Sequence, residues 1–192
     1  MQATQRLFVS LHLPAACQDA VAAIQQKRHG ITWTPPEQFH LTMRFLGDVE
    51  TALAQRIEEE LAKVRVEPFL LPLAGAGRFP PRGLARVLWV GVGNGHTRLF
   101  QLRQKIDDAV LAAGWRGELR NFDPHITVGR VRAEEADPVV VEKWPTSHRD
   151  FEGPPFRVDA FQLMSSDLSS AGAVHKVVRR FPLGGSAPAL VT

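Results

Sequence analysis

The sequence predicts an α+β fold of two similar lobes, and three observations predict it. His40-Leu41-Thr42 recurs as His125-Ile126-Thr127, close to half the chain apart. Both copies sit in apolar-flanked segments with strand character, Phe39 to Gly47 and Phe122 to Arg130. In both halves the motif closes the same order: strand, helix, histidine strand. A repeated order with one histidine motif per repeat reads as a duplicated lobe with pseudo-twofold symmetry.

The elements follow from local signals. Arg6 to Leu13 is a strand bounded by Pro14. Residues 15–28 carry Ala16, Ala20, Val21 and Ile24 at helical spacing, and His29-Gly30 is a stop signal. Thr34-Pro35-Pro36 breaks the chain before the first histidine strand, which Gly47-Asp48 closes. Thr51 to Val66 reads as a second helix, with Leu53, Ile57, Leu61 and Val64 on one face, and Phe69 to Leu73 as a strand. In the second half, Ala85 to Val92 is a strand and Gly93-Asn94-Gly95 a turn. A helix from Thr97 to Ala113 places Leu99, Leu102, Ile106, Val110 and Leu111 on its apolar side, and Gly114 stops it.

Residues 133–155 are polar and proline-interrupted, which predicts a surface loop able to cover a cleft. Phe156 to Met164 and Val174 to Phe181 predict a closing strand pair. On this reading residues 1–183 form one bilobed domain, with motif lobes of about 1–80 and 81–183. Residues 184–192 are a flexible tail.

Composition narrows the class. A chain of 192 residues, 44% hydrophobic and 22% charged, can bury a sizeable core in one domain. No basic segment leads into an apolar h-region, and no stretch approaches the ~20 apolar residues of a membrane span, so a cytoplasmic protein is expected. Cys17 is the single cysteine, which rules out an internal disulfide and a multi-cysteine zinc site and reads as an inert buried thiol. The net charge of +3 weakly favours an anionic ligand. Arg78, Arg82 and Arg86 cluster in one segment, and Arg116, Arg120, Arg130 and Arg132 bracket the second motif, where some would meet phosphate.

The motif itself suggests a chemistry. Side chains two apart on a strand share a face, so each His and Thr project together while Leu41 or Ile126 points the other way. Two such strands facing one another would gather two imidazoles and two hydroxyls around one small space. An imidazole titrates near ~6.5, so one of a pair can take a proton from water while the other supplies one to a leaving oxygen. Threonine hydroxyls can donate to non-bridging phosphate oxygens. A strained five-membered cyclic phosphate is an easy target for such a device.

Metal binding is the sharper rival. Two histidines supply too few ligands, however, and no carboxylate or thiol sits at ligand spacing beside both motifs. Asp123 precedes His125 by two and could orient or coordinate, but Gln38 holds that place in the first motif. A serine nucleophile has no Gly-x-Ser-x-Gly setting. His12 and His175 fall in strand-like segments without a threonine two residues on, and His29, His96 and His148 fall at helix ends or in loops.

These segments resemble a known family. Arg6 to Pro14, His40-Leu41-Thr42-Met43-Arg44-Phe45-Leu46-Gly47, Arg86 to Trp89 and Pro124-His125-Ile126-Thr127 resemble the RNA 2′,3′-cyclic phosphodiesterases of the two-histidine phosphoesterase superfamily, whose bacterial members are also called 2′-5′ RNA ligases. The resemblance covers about residues 5–183. It implies two antiparallel sheets with helices on their outer faces, forming a V-shaped cleft with one histidine from each lobe.

It also implies hydrolysis of RNA 3′ ends carrying a 2′,3′-cyclic phosphate to a 2′-phosphomonoester, without metal or cofactor. His40 would be the general acid and His125 the general base, with Thr42 and Thr127 on the phosphoryl oxygens. Arg130 would contact the terminal nucleotide, and Phe8 is the candidate for stacking its base. Strict alternation points Arg130 away from the cleft, so a bulge at Gly129 or a turn is needed. Arg44 needs no such repair and is expected on the cleft face. Two alternatives stay open: ATP-independent 2′-5′ ligation of tRNA halves, and a non-catalytic RNA-end-binding module. A monomer, free of any membrane, is expected.

Overall fold

The computed structural model describes residues 3–93, 96–119, 121–169 and 172–184. Among the described residues nine strands form one antiparallel sheet, and each half of it holds one histidine strand at its inner edge. In the first half lie β1 (Thr4–His12), β3 (His40–Glu50), β8 (Ala160–Ser169) and β9 (Gly172–Pro182). In the second lie β4 (Phe69–Phe79), β5 (Val87–Val92), β6 (His125–Val131) and β7 (Glu152–Val158), with the short β2 (Ile31–Trp33) beside β6. The order β7-β4-β5-β6-β3-β1-β8-β9 brings the two histidine strands together at the centre, where Leu41 pairs with Ile126.

The halves of the sheet are not the halves of the chain. Strand β4 precedes residue 80 yet pairs with β5 and β7, and the C-terminal hairpin β8–β9 joins β1 of the first half. The expected division at residue 80 therefore gives way to an interleaved one. The segment 156–164 likewise splits at Asp159 into β7 and β8, which lie at opposite ends of the sheet order. Alternation is uninformative there, because both strands bury every second residue.

The helices are α1 (Ala15–Ala22), α2 (Thr51–Leu61), α3 (Thr97–Ala112) and α4 (Pro138–Ser147). Ile57 and Leu61 of α2 and Leu99, Leu102, Ile106 and Val110 of α3 share one core with Leu41, Met43, Ile126 and Val128 of the histidine strands. That burial fixes which face of β3 and β6 is inside, so His40, Thr42, His125 and Thr127 take the other.

α1 ends seven residues before the expected stop at His29-Gly30. The Gln25 side chain leaves the helical path and donates to the carbonyls of Thr34 and Val128, at 2.8 and 3.0 Å. α2 likewise ends at Leu61, short of Val66, and β4 continues to Phe79.

The expected surface loop at 133–155 is instead a helix and an edge strand. Asp137 caps α4 by accepting from the Val139 backbone N–H at 2.9 Å, Pro138 occupies the first turn, and Val141 and Trp144 are buried. Pro154 and Pro155 are tolerated in β7 because it is an edge strand with a free side. Residues 94, 95, 120 and 185–192, which include part of the Gly93–Gly95 turn, Arg120 and nearly all of the expected tail, lie outside the described residues.

Candidate active site

The pairing of Leu41 with Ile126 sets the site. Continuing that antiparallel register places His40 beside Thr127 and Thr42 beside His125, all on the face opposite the core. The imidazoles occupy one diagonal of this square and the hydroxyls the other. Regular strand spacings put the two histidine Cα atoms roughly 8 Å apart. All four side chains are only partly buried.

Each histidine is oriented by a backbone carbonyl two residues earlier. His40 Nδ1 donates to the Gln38 carbonyl at 2.8 Å, and His125 Nδ1 to the Asp123 carbonyl at 2.7 Å. A carbonyl can only accept, so Nδ1 carries the proton in both rings and Nε2 is left for a ligand. The Asp123 side chain is not used in this bond. That explains why Gln38 serves equally at the equivalent place.

Two bulges decide what else reaches the cleft. Val9 pairs with Arg44 and Ser10 with Thr42, which leaves Met43 as an extra residue in β3. Leu88 pairs with Gly129 and Trp89 with Thr127, which leaves Val128 extra in β6. Each bulge lies three residues after its histidine and inverts the alternation beyond it. Arg130 is thereby returned to the cleft face by a bulge one residue earlier than Gly129, and its side chain is exposed. Its charge helps to lower both His40 and His175.

The same device overturns the expectation for Arg44. Turned inward by the Met43 bulge, Arg44 is 4% exposed and grips Asp107 of α3 with two bonds, Nε to Oδ1 at 2.6 Å and a terminal nitrogen to Oδ2 at 2.5 Å. Arg103 also pairs with Asp107, at 2.8 Å, and donates to the carbonyl of the bulged Met43. Arg44 is therefore a strut holding the bulge against α3. The cleft position goes to Phe45, which is 68% exposed and is the pseudo-twofold counterpart of Arg130.

Phe8 does face the cleft, but at 2% exposure it offers no open surface for a base. Its ring lies 5.1 Å from that of His40 and 6.1 Å from that of Phe45, so it backs the wall that carries His40. Across the cleft, Phe79 meets His125 edge-on at 4.9 Å, with Trp89 at 6.3 Å. His175 of β9, which lies outside both His-x-Thr motifs, stands 5.3 Å from His40. No local signal marks it, since its place depends on the C-terminal hairpin joining β1.

The electrostatics favour an anion. Burial, reinforced by the positive charges of His175, His125 and Arg130, pushes His40 down to about 4, against the raising effect of its bond to Gln38. Among the described residues, three buried polar atoms on the cleft strands lack a partner: Ser10 Oγ, Trp89 Nε1 and His175 Nδ1. Ser10 pairs with Thr42 and Trp89 with Thr127, so these two orphans flank the hydroxyls symmetrically. Cys17 is 1% exposed, and burial raises its thiol, in keeping with an inert role. Among the described residues, no group of three or more His, Cys, Asp or Glu is placed to hold a metal ion. No described helix is long and apolar enough to cross a membrane.

Known proteins resemble this chain in sequence and fold. A protein named RNA 2′,3′-cyclic phosphodiesterase from Aeropyrum pernix is 34% identical over 142 residues, 74% of this chain and 80% of the relative. One of the same name from Archaeoglobus fulgidus is 31% identical over 179 residues, 92% and 99% of the two chains. The crystal structure of TT0787 of Thermus thermophilus superposes with a TM-score of 0.76 at 27% identity, covering 95% of this chain and all of that one. E. coli LigT in apo form shares the fold, with a TM-score of 0.75 at 23% identity over 94% and 98% of the chains. The family profile described as 2′-5′ RNA ligase superfamily matches residues 13–169, which span both histidine strands. The chain belongs to that superfamily.

Proposed function

We propose that this chain hydrolyses RNA 3′ ends bearing a 2′,3′-cyclic phosphate to the 2′-phosphomonoester. The observation that carries this is the diagonal pairing of two imidazoles on one sheet face, each with Nδ1 tied to a carbonyl and Nε2 left for a ligand. The name shared by the relatives supports this substrate class.

In the proposed reaction His125 takes a proton from water, whose oxygen attacks phosphorus. The bond to the ribose 3′-oxygen breaks, and His40 delivers its proton to that oxygen. Thr42 and Thr127 donate to the non-bridging oxygens as charge grows there, and Arg130 binds the terminal nucleotide. This division requires His40 to gain a proton with the substrate. The phosphate anion supplies the reason, because it offsets the cations and the burial that keep the free imidazole neutral. Every step is carried by side chains, so turnover should need neither metal nor cofactor.

The experiment is to incubate the protein, with EDTA present, with an RNA ending in a 2′,3′-cyclic phosphate and to score the end group. A 2′-phosphate is expected. No turnover by pure, folded protein sinks the enzyme reading in favour of an RNA-end-binding module, and turnover abolished by EDTA sinks the metal-free mechanism. The family description favours one further reaction, 2′-5′ joining of tRNA halves by the same acid/base pair run backwards. Paired halves in the same assay test it. We place the enzyme in the cytoplasm as a monomer.

A further inference from the structure

Phe8, His40 and His175 form a triangle of rings with centroids 5.1, 5.0 and 5.3 Å apart. His175 reaches it from the far edge of the sheet. Phe8 of β1 pairs with Met164 of β8, and His175 of β9 pairs with Ser166, which shares the Met164 face. The C-terminal hairpin thus carries a third imidazole onto the cleft face beside His40.

His175 differs from the other two cleft histidines in one respect. Their Nδ1 atoms are satisfied by carbonyls, whereas His175 Nδ1 is buried with no hydrogen-bond partner. A buried ring nitrogen left unpaired is costly unless a ligand completes it. The charged group acting on His175 is Arg130, and those acting on His40 are His175, His125 and Arg130, so the neighbourhood is cationic. An anion carrying hydrogen-bonding oxygens fits it, and a metal ion does not.

We propose that His175 is a nucleotide-binding residue that hydrogen-bonds the phosphoryl group beside His40 and favours the 2′-phosphomonoester over the cyclic diester. This rests on the hydrolytic reading above. The physical basis is charge: the cyclic diester carries one negative charge and the monoester approaches two near neutrality, so an added imidazole donor among cations discriminates between them. His175 therefore governs product affinity more than the chemical step.

The test uses His175→Phe, which keeps a ring against Phe8 and His40, and His175→Gln, which keeps a hydrogen-bonding nitrogen. Affinity for 2′-AMP, together with kcat and KM for 2′,3′-cyclic AMP, is measured for wild type and both variants, alongside thermal melting. His175→Phe should bind 2′-AMP about tenfold more weakly or worse, with a smaller rise in KM and no matching fall in kcat. His175→Gln should recover most of the lost affinity. Wild-type-like binding of 2′-AMP by folded His175→Phe overturns the inference while leaving the hydrolytic reading intact. So does a proportionate loss of kcat and 2′-AMP binding in both variants with lowered melting, the mark of a structural role. A wild type that opens no cyclic phosphate removes the reading on which the inference stands.

Discussion

Leu41 lies directly across from Ile126, both fully buried, and this pairing of two apolar residues sets the geometry of four polar ones. With the apolar pair locked into the core, His40 and His125 stand diagonally on the opposite face. A one-residue slip of β6 would send its histidine into the core.

The two imidazoles should be separately required. His40→Ala and His125→Ala are each expected to lower kcat by about 10²–10⁴-fold with melting temperature little changed, since each loses one proton transfer. Single-turnover hydrolysis of a cyclic-phosphate RNA measures this. A cyclic substrate with sulfur at the 3′ position then separates the roles, because a thiolate leaves without a proton. His40→Ala should regain most of its activity on that substrate and His125→Ala should not. The reverse pattern would exchange acid and base.

Burial and its cationic neighbours hold His40 at about 4 in the folded protein, against an ordinary value of 6.5. The unfolded chain therefore binds this proton first as pH falls. Stability should be full above pH 6.5 and decline through the window down to about pH 4, by up to roughly 3 kcal/mol. Urea denaturation across that window should show a shallower decline in His40→Phe. NMR titration of the His40 ring should also show its pKa rising on addition of 2′-AMP.

Arg44 and Arg130 should behave oppositely. Removing Arg44 takes two charge-assisted bonds from Asp107, which keeps Arg103 as its partner, so Arg44→Ala should cost about 1.5–3 kcal/mol in chemical denaturation. Arg130 is exposed and faces the cleft, so Arg130→Ala should leave stability within about 0.5 kcal/mol and raise KM for an RNA substrate several-fold. Similar KM effects from both variants, at matched folded fractions, would contradict the assignment of Arg44 as a strut.

Much of this was legible in the residues. The repeated His-x-Thr placed four side chains on two strand faces, and apolar periodicity placed α3 almost to the residue. The bulges at Met43 and Val128 were not legible in position, because the extra residue is selected by what packs beneath it. For Met43 that is a carbonyl held by Arg103, sixty residues away in the chain. α4 was hidden by Pro145 inside it, while its Asp137-Pro138 start was a readable signal. The Arg44 expectation failed because strict alternation does not carry through the bulge at Met43, which the register with β1 reveals and the Asp107 ion pair holds. His175 was out of reach, since nothing local says that β9 lies two strands from β1.

Gly77 offers a test of the wall behind His125. It pairs with Trp89, and a Cβ at this position would lie 2.0 Å from the indole, so the ring rests flat over a residue that must lack a side chain. Trp89 in turn approaches the His125 ring at 6.3 Å and Phe79 at 5.3 Å. Gly77→Ala should displace the indole, cost about 1–3 kcal/mol, and lower kcat through His125 more than it changes KM. Denaturation and steady-state kinetics on the same preparation check both effects. Wild-type kcat in a variant that loses this much stability would show that the Trp89 wall supports the fold and not the orientation of His125.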